Sequence, residues 1–262
     1  MTRFRCMRET AMLRFRRACT KHAEVPIPPR GPRPPCFWVI PMPVFSTARQ
    51  KMVDGQVRTN DVTDHRIIDA MMAVPREAFV SEGLRAIAYL DRDLDVGGSS
   101  AVRRYLLAPQ ITGKLLQAAG ITASDNVLVV GCATGYLAAL AARLGAKVTA
   151  TETDSALVAR GQAILTQLGL ANVTVKAAAP AEGDPADAPF DVIILNGATE
   201  IAPESLLAQL GEGGRLVGVF AKTHPARATI VTRSHGDLGN RVLFDAVAPV
   251  LPGLERVPGF EF

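Results

Sequence analysis

The chain has 262 residues, 48% of them hydrophobic and 21% charged, with 22 Gly, 18 Pro and four Cys. That is enough for one α/β domain with additions, and it excludes a collagen, a disulfide scaffold and wholesale disorder. The formal charge of +4 and a pI near 9.0 point toward nucleic acid or a membrane surface, unless the charge is confined to one segment.

The charge is confined. Residues 1–41 carry nine basic side chains (eight Arg and Lys21) against Glu9 and Glu24, a balance of +7, which leaves −3 for the other 221 residues. The same segment holds Cys6, Cys19 and Cys36, seven prolines and Trp38. The Pro-rich run from Pro26 to Pro35 suits neither a basic helix nor a Lys/Gly arm, and no apolar core of a secretory signal follows the first arginines. Residues 1–41 are therefore expected to be a disordered extension ahead of a start at Met42. With Cys132 alone in the body, disulfides have no support and a reducing cytoplasm is expected. No apolar run approaches the ~18 residues of a membrane span.

The body opens with helical patterns. Ser46 to Val57 reads as one amphipathic helix. Thr63 is expected to cap a second, with Ile67, Ile68, Met71, Met72 and Val74 on its apolar face and Pro75 as its stop. Arg76 to Leu90 continues as a shorter helix and turn. Asp91-Arg92-Asp93-Leu94-Asp95 resembles the start of a calcium loop, but the glycine falls one position late at Gly97 and the twelfth position is Val102, which excludes an EF-hand. Tyr105 to Ala119 reads as a further helix, with Arg103 and Arg104 as its solvated start.

From Asn126 the pattern alternates between strand and helix. Strands are predicted at Val127–Val130, Lys147–Thr151, Val173–Lys176, Asp191–Leu195 and Arg215–Phe220, with helices at Thr134–Leu144, Asp154–Leu168 and Pro203–Leu210. Two final strands, Ala228–Arg233 and Val242–Val247, flank the turn Ser234-His235-Gly236-Asp237. The class is α/β: a doubly wound, mostly parallel seven-stranded sheet with an antiparallel edge. Residues 42–120 are expected to form a helical cap, and 121–262 the ligand-binding part of the same domain.

In such sheets ligands bind at the carboxyl ends of the strands. Gly131-Cys132-Ala133-Thr134-Gly135 lies at the first strand-to-helix turn. A dinucleotide fingerprint needs glycine at the third and sixth positions, where Ala133 and Tyr136 stand, and no Gly-Lys-Ser/Thr follows for a triphosphate. The motif suits a nucleoside without phosphates, such as S-adenosylmethionine. Glu152, 21 residues beyond Gly131, ends the second strand, where a carboxylate accepts both ribose hydroxyls. His22, His65, His224 and His235 have no metal-ligand spacing, and no metal is expected.

Met52-Val53-Asp54-Gly55-Gln56-Val57-Arg58, Val62-Thr63-Asp64 with Arg66, and Val74-Pro75-Arg76 with Phe79 resemble the N-terminal signature of the protein-L-isoaspartate O-methyltransferases. The resemblance runs on through Asp91-Arg92, Val127 to Tyr136, Phe190-Asp191 and Gly213-Gly214-Arg215-Leu216, and spans most of residues 46–250. It implies an S-adenosylmethionine-dependent enzyme that methylates the abnormal aspartyl carboxylate of damaged proteins. A cytoplasmic monomer with no nucleic-acid or membrane partner is expected. The resemblance implies cofactor binding by Val130, Gly131, Ala133, Gly135, Glu152 and Asn196, and substrate contact by Ser100 and Arg103.

Several family positions differ. The family loop Gly-His-Gly-Gln-Thr-Ile-Ser, counted from Gly97, ends on Ala101-Val102-Arg103. An acidic residue is replaced by Val129, a glycine by Ala133, and a Gly-Asp-Gly by Ala178-Ala179-Pro180. Two alternatives follow from these changes: a catalytically impaired binding or regulatory protein, and a methyltransferase for another substrate.

Overall fold

The computed structural model describes residues 43–98 and 102–256, so the expectations for residues 1–41 and for Ser100 lie outside the described residues. Helix α1 (Pro43–Met52) runs into a wide π turn at Val53–Val57 and a tight turn at Arg58–Asn60 that ends on left-handed Asp61, so the predicted helix to Val57 changes pitch in its last turn. Gly55 weakens regular helix there, and the wide turn keeps Met52, Val53 and Val57 all inside. Helix α2 (His65–Ala73) is capped by Asp64, which accepts from the Arg66 N–H at 2.9 Å. The expected cap, Thr63, instead donates its own N–H to Gln117. Pro75 denies Val74 the helical region and ends α2.

Residues 76–90 form two separate 3-10 segments, Arg76–Phe79 and Glu82–Ile87, joined through extended, buried Val80, in place of one helix. Fully buried Arg76 lies beneath them. Its Nε donates to Ala88 O and its Nη2 to Leu107 O, both at 2.8 Å, and its guanidinium stacks on the Tyr136 ring.

The next departure matters most for function. Tyr105 does not begin a helix: Tyr105–Leu106 (β2) pairs antiparallel with Leu94–Asp95 (β1), and the Val96 N–H extends the ladder to Arg104 O at 2.7 Å. Helix α3 (Pro109–Ala119) starts at the proline, whose fixed φ suits a first turn, and stops at left-handed Gly120.

The main sheet contains β3 (Asn126–Val130), β4 (Lys147–Glu152), β5 (Val173–Ala177), β6 (Phe190–Thr199), β7 (Leu210–Phe220), β8 (Arg227–Ser234) and β9 (Asp237–Asp245), in the order β5-β4-β3-β6-β7-β8-β9. The first five in that order are parallel; β8 and β9 are antiparallel. Helices α4 (Tyr136–Ala142), α5 (Ser155–Gln167) and α6 (Glu204–Ala208) supply crossovers. Alternation along β3 divides the core: Val127 and Val129 pack with the cap and α4, and Leu128 and Val130 pack with Ile193, Leu195 and Leu206 on the other face. One apolar cluster thus contains residues of both the helical cap and the sheet. The chain winds outward from β3 to β5, then returns to β6 on the other side of β3, so the switch point lies between β3 and β6.

A polar cluster ties β4 and β5 to the loop before β6. Asp187 receives Lys147, Lys176 and Thr149 at 3.0 Å each, and Lys176 also reaches Asp184 at 2.6 Å. Those donors hold the Asp187 carboxyl well below the usual carboxylate range. A group depressed in the folded state stabilises the fold above its unfolded pKa of about 4, and that contribution is lost as pH falls through the lower folded value. Urea denaturation across acid pH should therefore show wild-type stability falling below about pH 4. The Asp187→Asn variant should be less stable at neutral pH and lose less on acidification.

Candidate functional site

Register assembles the site. Val130 pairs with Thr151 of β4 on one side and with Leu195 of β6 on the other. The next residue of each strand, Gly131, Glu152 and Asn196, therefore stands at the same level at the carboxyl end of the sheet. Pairing of β6 with β7 is irregular between Ile194 and Ala198, and such a bulge re-aims side chains. Asn196 Nδ2 donates to Gly131 O at 2.9 Å and to Tyr105 O at 3.2 Å.

The turn from β3 into α4 is built on left-handed residues: Gly131 at φ 68°, Ala133 at φ 53° and Gly135 at φ 93°. Gly135 is the residue ahead of α4, and its N–H returns to Cys132 O. Thr134 Oγ1 donates to Phe79 O at 2.7 Å and fastens the turn to the cap. Ala133 stands where the family has glycine, yet its backbone keeps the left-handed conformation, which puts its N–H 2.7 Å from Glu152 Oε2.

Glu152 has no exposed surface. Thr153 donates to Oε1 through N–H at 2.9 Å and Oγ1 at 3.1 Å. The rest of its coordination comes from Arg104: Nε lies 3.0 Å from both oxygens, and Nη2 lies 2.9 Å from Oε2 and 2.8 Å from Gly131 O. Arg104 is itself only 3% exposed. The expectation that Arg104 is a solvated helix start is corrected: it lies in the strand continuing β2, where alternation sends Arg104 and Leu106 inward and Arg103 outward.

Leu251 completes the enclosure. After β9 the chain crosses the end of β6, bridging Val250 to Ala198, with Ala198 N–H on Pro249 O at 2.7 Å. A Cβ on Gly131 would come within 2.6 Å of the Leu251 side chain, and one on Gly197 within 2.8 Å.

Of the other expected site residues, Val130 is fully buried with its side chain in the second core layer, which leaves only its backbone at the turn. Arg103 projects into solvent, its side chain 77% exposed, at 3.7 Å from Asp95. Cys132 is buried, and burial together with the nearby Glu152 charge raises its thiol pKa, so it is not a nucleophile. No cluster of His, Cys, Asp and Glu that could hold a metal occurs among the described residues. Sequence reasoning missed Arg104 and Leu251. The alternation of Arg103-Arg104-Tyr105-Leu106 was a usable signal for the first, and none existed for the second.

The chemistry of the donors fits a nucleoside. Glu152 is a two-oxygen acceptor at the strand end, beside the left-handed turn at Gly131 and Gly135.

A doubly wound sheet with a glycine turn, a strand-end carboxylate and a helical cap defines the Rossmann-like methyltransferase class. The family model for protein-L-isoaspartate(D-aspartate) O-methyltransferase matches residues 47–240. A protein-L-isoaspartate O-methyltransferase of Koribacter versatilis is 38% identical over 201 residues, 77% of this chain and 89% of its own. A solved protein-L-isoaspartate O-methyltransferase superimposes with a TM-score of 0.70 at 24% identity, over 79% of this chain and 67% of its own. The structure of a putative protein-L-isoaspartate O-methyltransferase from Plasmodium falciparum in complex with S-adenosyl-L-homocysteine gives a TM-score of 0.65 at 18% identity, over 79% of this chain and 97% of its own. The chain belongs to the protein-L-isoaspartate(D-aspartate) O-methyltransferase family.

Two stability measurements probe this geometry. Arg104→Ala and Glu152→Ala should each cost about 3–5 kcal/mol in urea denaturation, because each leaves an uncompensated buried charge. The double variant should cost clearly less than the two together. Ala133→Gly should stabilise the protein by about 1 kcal/mol, since glycine adopts the left-handed conformation without the Cβ penalty.

Proposed function

We propose that the chain is an S-adenosylmethionine-dependent O-methyltransferase of the isoaspartyl repair type, acting on a carboxylate of damaged proteins. The observation that carries this reading is the convergence of Gly131, Glu152 and Asn196 at the switch point of a chain whose residues 47–240 match the family. When bound, the cofactor supplies a methyl group activated by its sulfonium. The acceptor carboxylate is ionised at neutral pH, so the protein needs no general base, and alignment with exclusion of water is the task left to it. Gly131, Ala133, Gly135 and the Val130 backbone shape the turn, Glu152 takes the ribose, and Asn196 holds the Gly131 carbonyl in place. Arg103, exposed beside the buried Arg104, is suited to pin the substrate carboxylate by a charge-assisted hydrogen bond.

The body's balance of −3 supports a protein substrate over nucleic acid. No helix among the described residues is long and apolar enough to cross a membrane. A cytoplasmic monomer is the assembly proposed. The Arg104–Glu152 pair favours one second reading, a binding or regulatory protein that has kept the fold with impaired catalysis.

The full chain, incubated with methyl-labelled S-adenosylmethionine, should label an isoaspartyl peptide and leave the matching aspartyl peptide unlabelled. No transfer by folded protein would decide for the second reading. Arg103→Ala should raise KM for the peptide about two- to fivefold, the scale of an exposed charge pair, with kcat nearly unchanged.

A further inference from the structure

We infer that Arg104 is a built-in occupant of the ribose subsite, which any nucleoside must displace in order to bind. The inference rests on the nucleoside reading of Glu152 made above and adds a resident competitor to it.

Three observations carry it. The first is saturation. A carboxylate offers about four lone-pair positions, and Glu152 already receives the Ala133 N–H, the Thr153 N–H and hydroxyl, and two nitrogens of Arg104. The Ala133 and Thr153 donors belong to the turn and the strand end themselves. Arg104 alone reaches in from a distant segment, 48 residues away in sequence. The second is space. Arg104 Nη2 lies 2.5 Å from where a Cβ on Gly131 would sit, so the guanidinium fills the room that the glycine leaves open. The third is chemical likeness. A guanidinium presents adjacent N–H donors to a carboxylate much as a vicinal diol presents two O–H donors.

The arginine precedes a two-rung ladder outside the main sheet, β1 with β2, so its withdrawal breaks no strand pairing of β3 or β4. A competitor on the same chain is present at high effective concentration. The apparent affinity for cofactor is then lowered by the fraction of molecules in which Arg104 is engaged.

The test is calorimetric titration of the full-length protein with S-adenosylhomocysteine, comparing wild type, Arg104→Ala and Arg104→Gln. The glutamine variant keeps a short polar donor in case the alanine variant does not fold, and circular dichroism checks each. Folded variants should bind at least about tenfold more tightly than wild type. In Arg104→Ala, millimolar guanidinium should raise the melting temperature relative to equal sodium chloride and weaken S-adenosylhomocysteine binding, while wild type shows neither effect. In wild type, the Arg104 Nε–H resonance should shift on ligand addition as the pair opens. Equal or weaker binding by folded variants, including no binding by any of the three proteins, would overturn the inference. Failure of the repair-enzyme reading looks different: tight binding by the variants with no methyl transfer to the isoaspartyl peptide.

Discussion

A carboxylate with no exposed surface at the end of β4 is the constraint around which this molecule is organised. Burying an unpaired carboxylate costs several kcal/mol, so Glu152 must be matched by donors from its surroundings. Two sets are local: Thr153, next in sequence, and the Ala133 N–H, brought within 2.7 Å by the left-handed turn after β3. The balancing charge comes from Arg104, which also caps the Gly131 carbonyl. The hairpin of the cap, the glycine turn and the second strand of the sheet are therefore linked through one charged contact. Elsewhere the cap adheres through Arg76, whose guanidinium binds carbonyls of two cap segments while stacking on Tyr136 of α4.

The frame of the site is set by backbone more than by the side chains that line it. Ala133, where the resemblance places a glycine, has a left-handed backbone, and its N–H points at Glu152. Val129 is buried in the core cluster shared with the cap, where an acidic side chain would need a partner. Backbone geometry at a switch point follows from strand order and register, which depend on many apolar residues at once. Individual polar contacts depend on one residue each. A chain can therefore match the family over residues 47–240 and still meet its ligand on altered terms.

Much of the architecture was legible in the sequence because it rests on local periodicity. Each predicted strand of the main sheet has an observed counterpart, although β6 runs on to Thr199 and β7 begins at Leu210. Gly120 and Gly169 both adopt the left-handed conformation of helix stops. The errors cluster where periodicity is too short to read. Tyr105-Leu106 is a two-residue strand, whose pairing depends on Leu94-Asp95 ten to twelve residues earlier. Residues 76–90 bend around a buried arginine, and their apolar pattern alone resembles a helix.

The sequence by itself determined the class of fold, the glycine turn that follows the first strand of the parallel sheet and the confinement of positive charge to residues 1–41. These follow from the order of apolar runs, from glycines at a strand-to-helix turn and from counting, none of which needs a distant contact. Only the tertiary structure decided which of two adjacent arginines is buried against Glu152. Arg103 and Arg104 are chemically identical, and they differ only in which face of a short strand each occupies. That face is set by pairing with β1 and by the need of Glu152 for a positive partner 48 residues away. Burial at that distance is a property of the packed molecule, so the same side chain reads as a solvated charge in the sequence and as the buried partner of Glu152 in the fold.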